Sequence, residues 1–263
     1  IILNLDNSLA ITHNAIDGAL SIIDTRDFSI STTIPVSDLT IPIDEAIGAE
    51  LFHNASDRRM GTNWVSCANC HFDGQSDGRI WQNFEGGARN TPVLYDLLNS
   101  APYTATGGWD ELADVEHKIR TLHAGYGLIE TGVNPTLGEA NSGLSIDLDA
   151  LVLYMTTFKA PPTPPIQEVA LVSAGEAIFN ELECATCHSE TLGIDGQNHD
   201  VGSDVEINTP TLNWLWMSSP YFHDGRAQTL RDVFLLEGDH QIIGQISPEE
   251  IDALVAYLQS LPR

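Results

Sequence analysis

All four cysteines of this 263-residue chain fall in two pentapeptides of one pattern, Cys67-Ala68-Asn69-Cys70-His71 and Cys184-Ala185-Thr186-Cys187-His188. No cysteine remains to tie distant segments together, so the thiols act locally, and they do so twice. Two thiols at this spacing add across the two vinyl groups of one haem, and the imidazole that follows reaches the iron. Each pentapeptide therefore predicts one covalently bound haem c, held by Cys67 and Cys70 with His71 on the iron, and by Cys184 and Cys187 with His188 on the iron. A zinc site drawn from both segments uses only some of these six ligands and leaves the repetition unexplained. A thioredoxin-like pair has no need of histidine at the next position.

The sequence around the pentapeptides repeats as well. Asn90-Thr91-Pro92-Val93-Leu94 matches Asn208-Thr209-Pro210-Thr211-Leu212, and Ser100-Ala101-Pro102-Tyr103 matches Ser218-Ser219-Pro220-Tyr221, both at an offset of 118, against 117 for the cysteines. Leu148-Asp149-Ala150-Leu151-Val152-Leu153-Tyr154 recurs as Ile251-Asp252-Ala253-Leu254-Val255-Ala256-Tyr257, predicting an amphipathic helix that closes each half. Ser247, Pro248 and Glu250 mark the start of the second of these helices as N-cap, first-turn proline and capping box. The expected fold is mainly α, with two cytochrome c-like haem domains in tandem, residues 43–160 and 161–263, divided by the proline-rich run Pro161 to Pro165. Ahead of them, residues 1–42 carry three β-rich runs, Ser8 to Thr12, Ala19 to Asp24 and Ser29 to Val36, which predict one small antiparallel sheet.

Thirty-seven acidic residues against eleven basic ones give a formal charge of −26, which repels a phosphate backbone and excludes nucleic acid as a partner. The same charge suits steering of a basic redox protein. No run approaches the roughly 18 apolar residues of a membrane span.

Seven histidines lie outside the pentapeptides. His123 stands 52 residues after His71 and His240 stands 52 after His188, so the two occupy matching places and are expected as distal iron ligands. His117 competes at the first haem, on a predicted helix from Asp110 to Leu122. Met217 and His223 compete at the second, although their counterparts in the first half are Asn99 and Ala105. His13, His53 and His199 are expected in structural roles, His199 close to the second haem. Trp64, Trp81, Trp214 and Trp216 are expected to pack near porphyrin, and Arg79, Arg89 and Arg226 are candidates to pair with haem propionates.

Taken together, Gly175-Glu176-Ala177-Ile178-Phe179, the second pentapeptide, His199-Asp200-Val201-Gly202, Thr209-Pro210-Thr211-Leu212 and Pro220-Tyr221-Phe222-His223-Asp224-Gly225-Arg226 resemble the di-haem bacterial cytochrome c peroxidase and MauG family. Ser66 to Gly74 and Asp77-Gly78-Arg79-Ile80-Trp81 resemble its variant fused to a YVTN-type β-propeller, and Asp17 to Asp24 with Thr33 to Val36 is similar to one propeller blade. The resemblance spans about residues 43–263 and favours Arg226 as a haem-binding residue. It implies placement in the periplasm or outside the cell, and a chain that is part of a larger protein or complex through its β segment. Relatives hold a calcium ion between their domains, but no calcium-loop spacing occurs in this sequence.

Two functions follow from the resemblance. One is single-electron transfer through two bis-histidine haems. The other is a peroxidase or MauG-like oxidase that reduces hydrogen peroxide at the N-terminal haem. Family peroxidases place a Trp between the haems and a Glu for acid-base work. Here the Trp position falls on Ala105, with Trp109 four residues on, and Glu116 and Glu130 are the nearest carboxylates.

Overall fold

A computed structural model describes the chain except residues 38–40, 85–86, 161–167, 190–192, 204, 237, 239, 243 and 262–263 and the side chain of residue 83. The proline-rich run expected to divide the haem domains thus lies outside the described residues.

The N-terminal runs form an antiparallel meander in the order β1-β2-β3-β4, made of Ile2–Leu3, Leu9–Asn14, Ala19–Asp24 and Ile30–Pro35. Its turns come from side chains that bond their own backbone. Asp24 accepts from Arg26 N and Asp27 from Ser29 N, both at 2.9 Å, while Gly18 supplies the left-handed residue between β2 and β3 at φ +59°. The register sets Ile11 opposite Ile22 and Leu20 opposite Ile34, so one face of the sheet is a row of branched apolar side chains.

Two helical cores follow. In the first, α1 (Ile43–His53) crosses α3 (Ile146–Met155), with α2 (Val115–Thr121) alongside. Phe52, Met60, Ile119, Leu148 and Leu151 are fully buried there. In the second, α4 (Val169–Glu181) crosses α6 (Pro248–Gln259), with α5 (Leu230–Leu235) alongside, over Phe179, Phe234, Ile251 and Leu254. The helix starts obey local chemistry: Ser145 caps α3 by accepting from Leu148 N, and Ser247 and Glu250 close the expected capping box on α6 behind Pro248.

Both crossings use one device. A β-carbon on Gly48 would overlap the Ala150 carbonyl and reach Tyr154, and one on Gly175 would overlap the Ala253 carbonyl and reach Tyr257. One turn further on, Phe52 packs edge-on to Tyr154 at 5.5 Å and Phe179 on Tyr257 at 5.3 Å. Gly-x-x-x-Phe on the first helix and Ala-x-x-x-Tyr on the last therefore form a matched pair in each half. The first helices stand 127 residues apart rather than 118, because a longer connection, Asn54 to Ser66, separates α1 from its pentapeptide.

The halves also meet reciprocally. Asn90 N donates to the His223 carbonyl at 2.9 Å, and the matching Asn208 N donates to the matching Ala105 carbonyl at 2.9 Å. The hairpins behind them correspond too, β5 (Ile80–Phe84) with β6 (Gly87–Asn90) and β7 (Asn198–His199) with β8 (Ile207–Asn208). This is the pattern of a two-fold interface within one chain.

The expectation of a mainly α chain needs correction. Helices build both cores, but the described residues also hold eight strands in three sheets, and long loops carry the pentapeptides. Four of the strands are the expected N-terminal sheet, and the others are the β5–β6 and β7–β8 hairpins beside the contact between the halves.

Candidate haem-binding sites

Each pentapeptide forms a single 3-10 turn, Cys67–Asn69 and Cys184–Thr186, with the histidine just beyond. The turn folds back on itself: His71 N bonds the Cys67 carbonyl at 2.9 Å and His188 N bonds the Cys184 carbonyl at 3.0 Å. Ser66 and Asn69 add a capping box in the first.

Burial pushes the Cys67 thiol up to about 12 and raises Cys70 and Cys184 as well. These sulfurs are poorly suited to exist as thiolates, the form that zinc binding and thiol exchange require. A thioether carries no charge and loses nothing by burial, so the donor set fits covalent haem. Among the described residues, the one group of side chains arranged for a metal ion is Cys187, Asp195 and His199, which does not draw on both pentapeptides.

Burial likewise drives the imidazoles toward their neutral, metal-binding form. His71 is lowered to about 4, and His188 and His123 are lowered for the same reason. His188 donates Nδ1–H to the Gly193 carbonyl at 2.8 Å, which leaves Nε2 for a ligand. His71 Nδ1 is buried and makes no hydrogen bond of ordinary geometry among the described residues, although the Pro92 carbonyl bears on His71 as the matching Pro210 carbonyl does on His188.

In the second half His240 faces His188. Their ring centroids are 6.2 Å apart at 51°. An iron bound by two imidazole nitrogens at about 2 Å each sets the ring centroids about 6 Å apart, so the pair is spaced for one shared metal. Phe222 packs edge-on to His240 at 5.8 Å, and the Arg226 guanidinium lies 4.1 Å over Phe222 while pairing with Asp224 at 3.0 Å. Arg226 thus reaches this site through Phe222, a contact that sequence reasoning missed because it depends on a left-handed residue, Phe222 at φ +62°.

In the first half His123 lies close enough to His71 for its charge to bear on that ring. It donates Nδ1–H to the Met60 carbonyl at 3.2 Å, again leaving Nε2. His117 is turned elsewhere, with Nε2 on the Asn134 carbonyl at 2.8 Å. The backbone of His223 is engaged in the contact between halves and its ring lies among Asp224, Arg89 and Arg226. Met217 ends a short turn, half-buried. His53 reaches the Tyr154 hydroxyl at 3.1 Å, His199 binds Asp195 at 2.7 Å, and His13 lies on β2.

The tryptophans divide. Trp64 is 78% exposed and Trp81 donates to Asp77 at 3.0 Å, whereas Trp214 is buried against Tyr95 of the first half, with rings 5.5 Å apart. Trp216 Nε1 is a buried donor with no acceptor among the described residues. Glu116 is fully buried and fully engaged, accepting from Leu128 N, Ile129 N and Arg120 Nε. Both of its oxygens already accept hydrogen bonds, and Glu130 follows directly after these bonded residues.

Residues 172–262 match the cytochrome c family. The chain is 22% identical to cytochrome c551 peroxidase of Pseudomonas aeruginosa, over 82% of this chain and 77% of that protein. It is 26% identical to the methylamine utilization protein MauG of Methylophilus methylotrophus, over 82% of this chain and 81% of that one. A solved structure of Kuenenia stuttgartiensis hydrazine synthase shares the fold, with a TM-score of 0.65, 21% identity and coverage of 85% of this chain and 89% of that one. These matches support the haem domains and give no support to a propeller fusion.

Proposed function

We propose that this chain, a di-haem c-type cytochrome homologous to the cytochrome c peroxidase and MauG family, passes single electrons through two haem c groups that are each closed by two histidines. Cys67 and Cys70 would hold the first with His71 and His123 on the iron, and Cys184 and Cys187 the second with His188 and His240. The 6.2 Å spacing of the His188 and His240 rings carries this reading.

Bound haem supplies a one-electron couple whose potential follows from its axial ligands, burial and hydrogen bonding. The protein's part is to keep the imidazoles neutral by burial, to orient His188 through Gly193 and His123 through Met60, and to keep the thiols uncharged until they are bonded. The unpaired Trp216 N–H suits a haem carboxylate, and Arg226 is positioned to support the second site. The acidic surface suits a basic redox partner, whose on-rate should fall as salt rises. The resemblance favours the periplasm or the cell exterior, and among the described residues no helix is long and apolar enough to cross a membrane. The apolar face of the N-terminal sheet is consistent with membership of a larger assembly.

The relatives' names favour a second reading, in which the first haem opens to reduce hydrogen peroxide. Steady-state peroxide turnover by the reduced protein separates the two: electron transfer predicts reoxidation without sustained turnover, and turnover that depends on the first haem supports the peroxidase. Replacing Cys184 and Cys187 together by Ser should leave one covalently attached haem per chain and lower the mass of the purified protein by about that of one haem, by denaturing mass spectrometry. An undiminished mass would contradict the assigned attachment.

A further inference from the structure

His123 lies in a seven-residue loop, His123 to Ile129, between α2 and the segment that leads to α3. Ala124 and Gly127 sit in the left-handed region at φ +53° and +88°, and the far end of the loop, Leu128 and Ile129, is buried in the first core. It is held from two sides. On one side the long connection after α1 binds it, with Thr62 N on the His123 carbonyl at 2.9 Å, Tyr126 N on the Arg58 carbonyl at 3.1 Å and Gly127 N on the Arg59 carbonyl at 2.9 Å. On the other side stands Glu116. Its carboxylate accepts from Leu128 N at 2.9 and 3.1 Å and from Ile129 N at 3.2 Å, while Arg120 pairs with it at 2.7 Å and donates to the Ile129 carbonyl at 2.5 Å.

We infer that the Glu116–Arg120 pair is a positioning clamp that fixes the His123 loop and so keeps the first haem closed. The inference rests on His123 as the distal ligand and adds what holds it there. Glu116 is one of two fully buried carboxylates among the described residues, Asp114 being the other, and every partner of Glu116 except Arg120 is a backbone N–H of this one loop. A buried charge satisfied in this way is costly to form and costly to break, so it fixes the backbone it bonds more firmly than a surface contact would. Gly127 is part of the fit, since a β-carbon there would overlap both Glu116 Oε1 and the Arg120 guanidinium. Among the described residues the second half shows no such arrangement: the connection between α4 and its pentapeptide is short, and His240 packs against Phe222. The clamp should therefore act on one haem only.

The test is cyanide binding to the oxidised di-haem protein, read together with its EPR spectrum. A histidine-closed haem binds cyanide only as fast as the histidine leaves. Glu116→Gln keeps the side-chain size but removes the charge that holds the loop N–H groups, and should speed cyanide binding at one haem by about ten-fold or more, with a high-spin component appearing for that haem alone. Gly127→Ala disturbs the clamp from the opposite side and should reproduce this one-haem signature. His123→Ala serves as the reference for an opened first haem. If His123→Ala leaves the spectrum unchanged, the ligand assignment fails. If His123→Ala opens the haem while Glu116→Gln and Gly127→Ala leave cyanide rate and spin state unchanged, the clamp is overturned. It is equally overturned if either clamp variant affects both haems alike, since Glu116 then supports the fold rather than the ligand.

Discussion

Replacing His240 by alanine should convert the second haem from low to high spin while the first keeps its parental spectrum, so that about half of the low-spin EPR intensity disappears. The expectation follows from geometry. His240 is the ring that faces His188, at a spacing one iron would span, and the other ring against it, Phe222, offers no lone pair. Loss of the imidazole leaves a coordination position that external ligands can enter. Added imidazole should restore the low-spin signal, and cyanide binding to that haem should accelerate by roughly two orders of magnitude or more, since no protein ligand has to leave first. If Met217→Ala rather than His240→Ala has this effect, the second site is ligated by sulfur, and the pairing of His188 with His240 is only packing.

The second large effect is on folding. Gly175→Ala places a methyl group inside the contact distance of the Ala253 carbonyl, where α4 and α6 cross. The helices must separate to admit it, and they carry Ile178, Phe179, Ile251 and Leu254 of the second core. Overpacking of this kind costs about 1–3 kcal/mol, the upper end being expected where the obstruction is backbone rather than a mobile side chain. For a chain of this size that corresponds to a fall in Tm of roughly 2–6 °C. Gly48→Ala should do the same to the first half, against the Ala150 carbonyl. Gly108→Ala is the control, because its β-carbon would meet only Thr104 and Thr106 hydroxyls at 3.6 Å, an ordinary contact. Thermal melting followed by circular dichroism on the haem-loaded protein tests all three. Equal melting temperatures for Gly175→Ala and Gly108→Ala would show that the crossing is looser than the packing implies.

Much of this organisation is legible in the sequence, for a physical reason in each case. The pentapeptides announce themselves because covalent attachment demands thiols and imidazole at fixed spacing. The closing helices α3 and α6 show because their apolar periodicity and serine caps are local properties, and β2 to β4 because their turns are made by Asp and Gly close in sequence. His123 and His240 are proposed as distal ligands on their equal distance from the pentapeptides, a signal independent of their surroundings.

What the sequence conceals depends on contacts between distant segments. The Gly48 and Gly175 crossings escape notice because the unequal connections after α1 and α4 shift the two glycines out of the 118-residue register. Glu116 reads as one more carboxylate on a helix until its partners, twelve and thirteen residues away, close around it. The reciprocal bonds of Asn90 and Asn208 are invisible without knowing that the halves face each other. The expectation of a mainly α chain missed the β5–β6 and β7–β8 hairpins, whose strands are only two to five residues long.

Ligation of each haem iron by two histidines is read out by the EPR spectrum of the unmodified, fully oxidised protein, integrated against its haem content. Two low-spin ferric centres per chain are expected, with no high-spin signal of comparable size. A high-spin signal approaching one centre per chain, before any peroxide or external ligand is added, would contradict it.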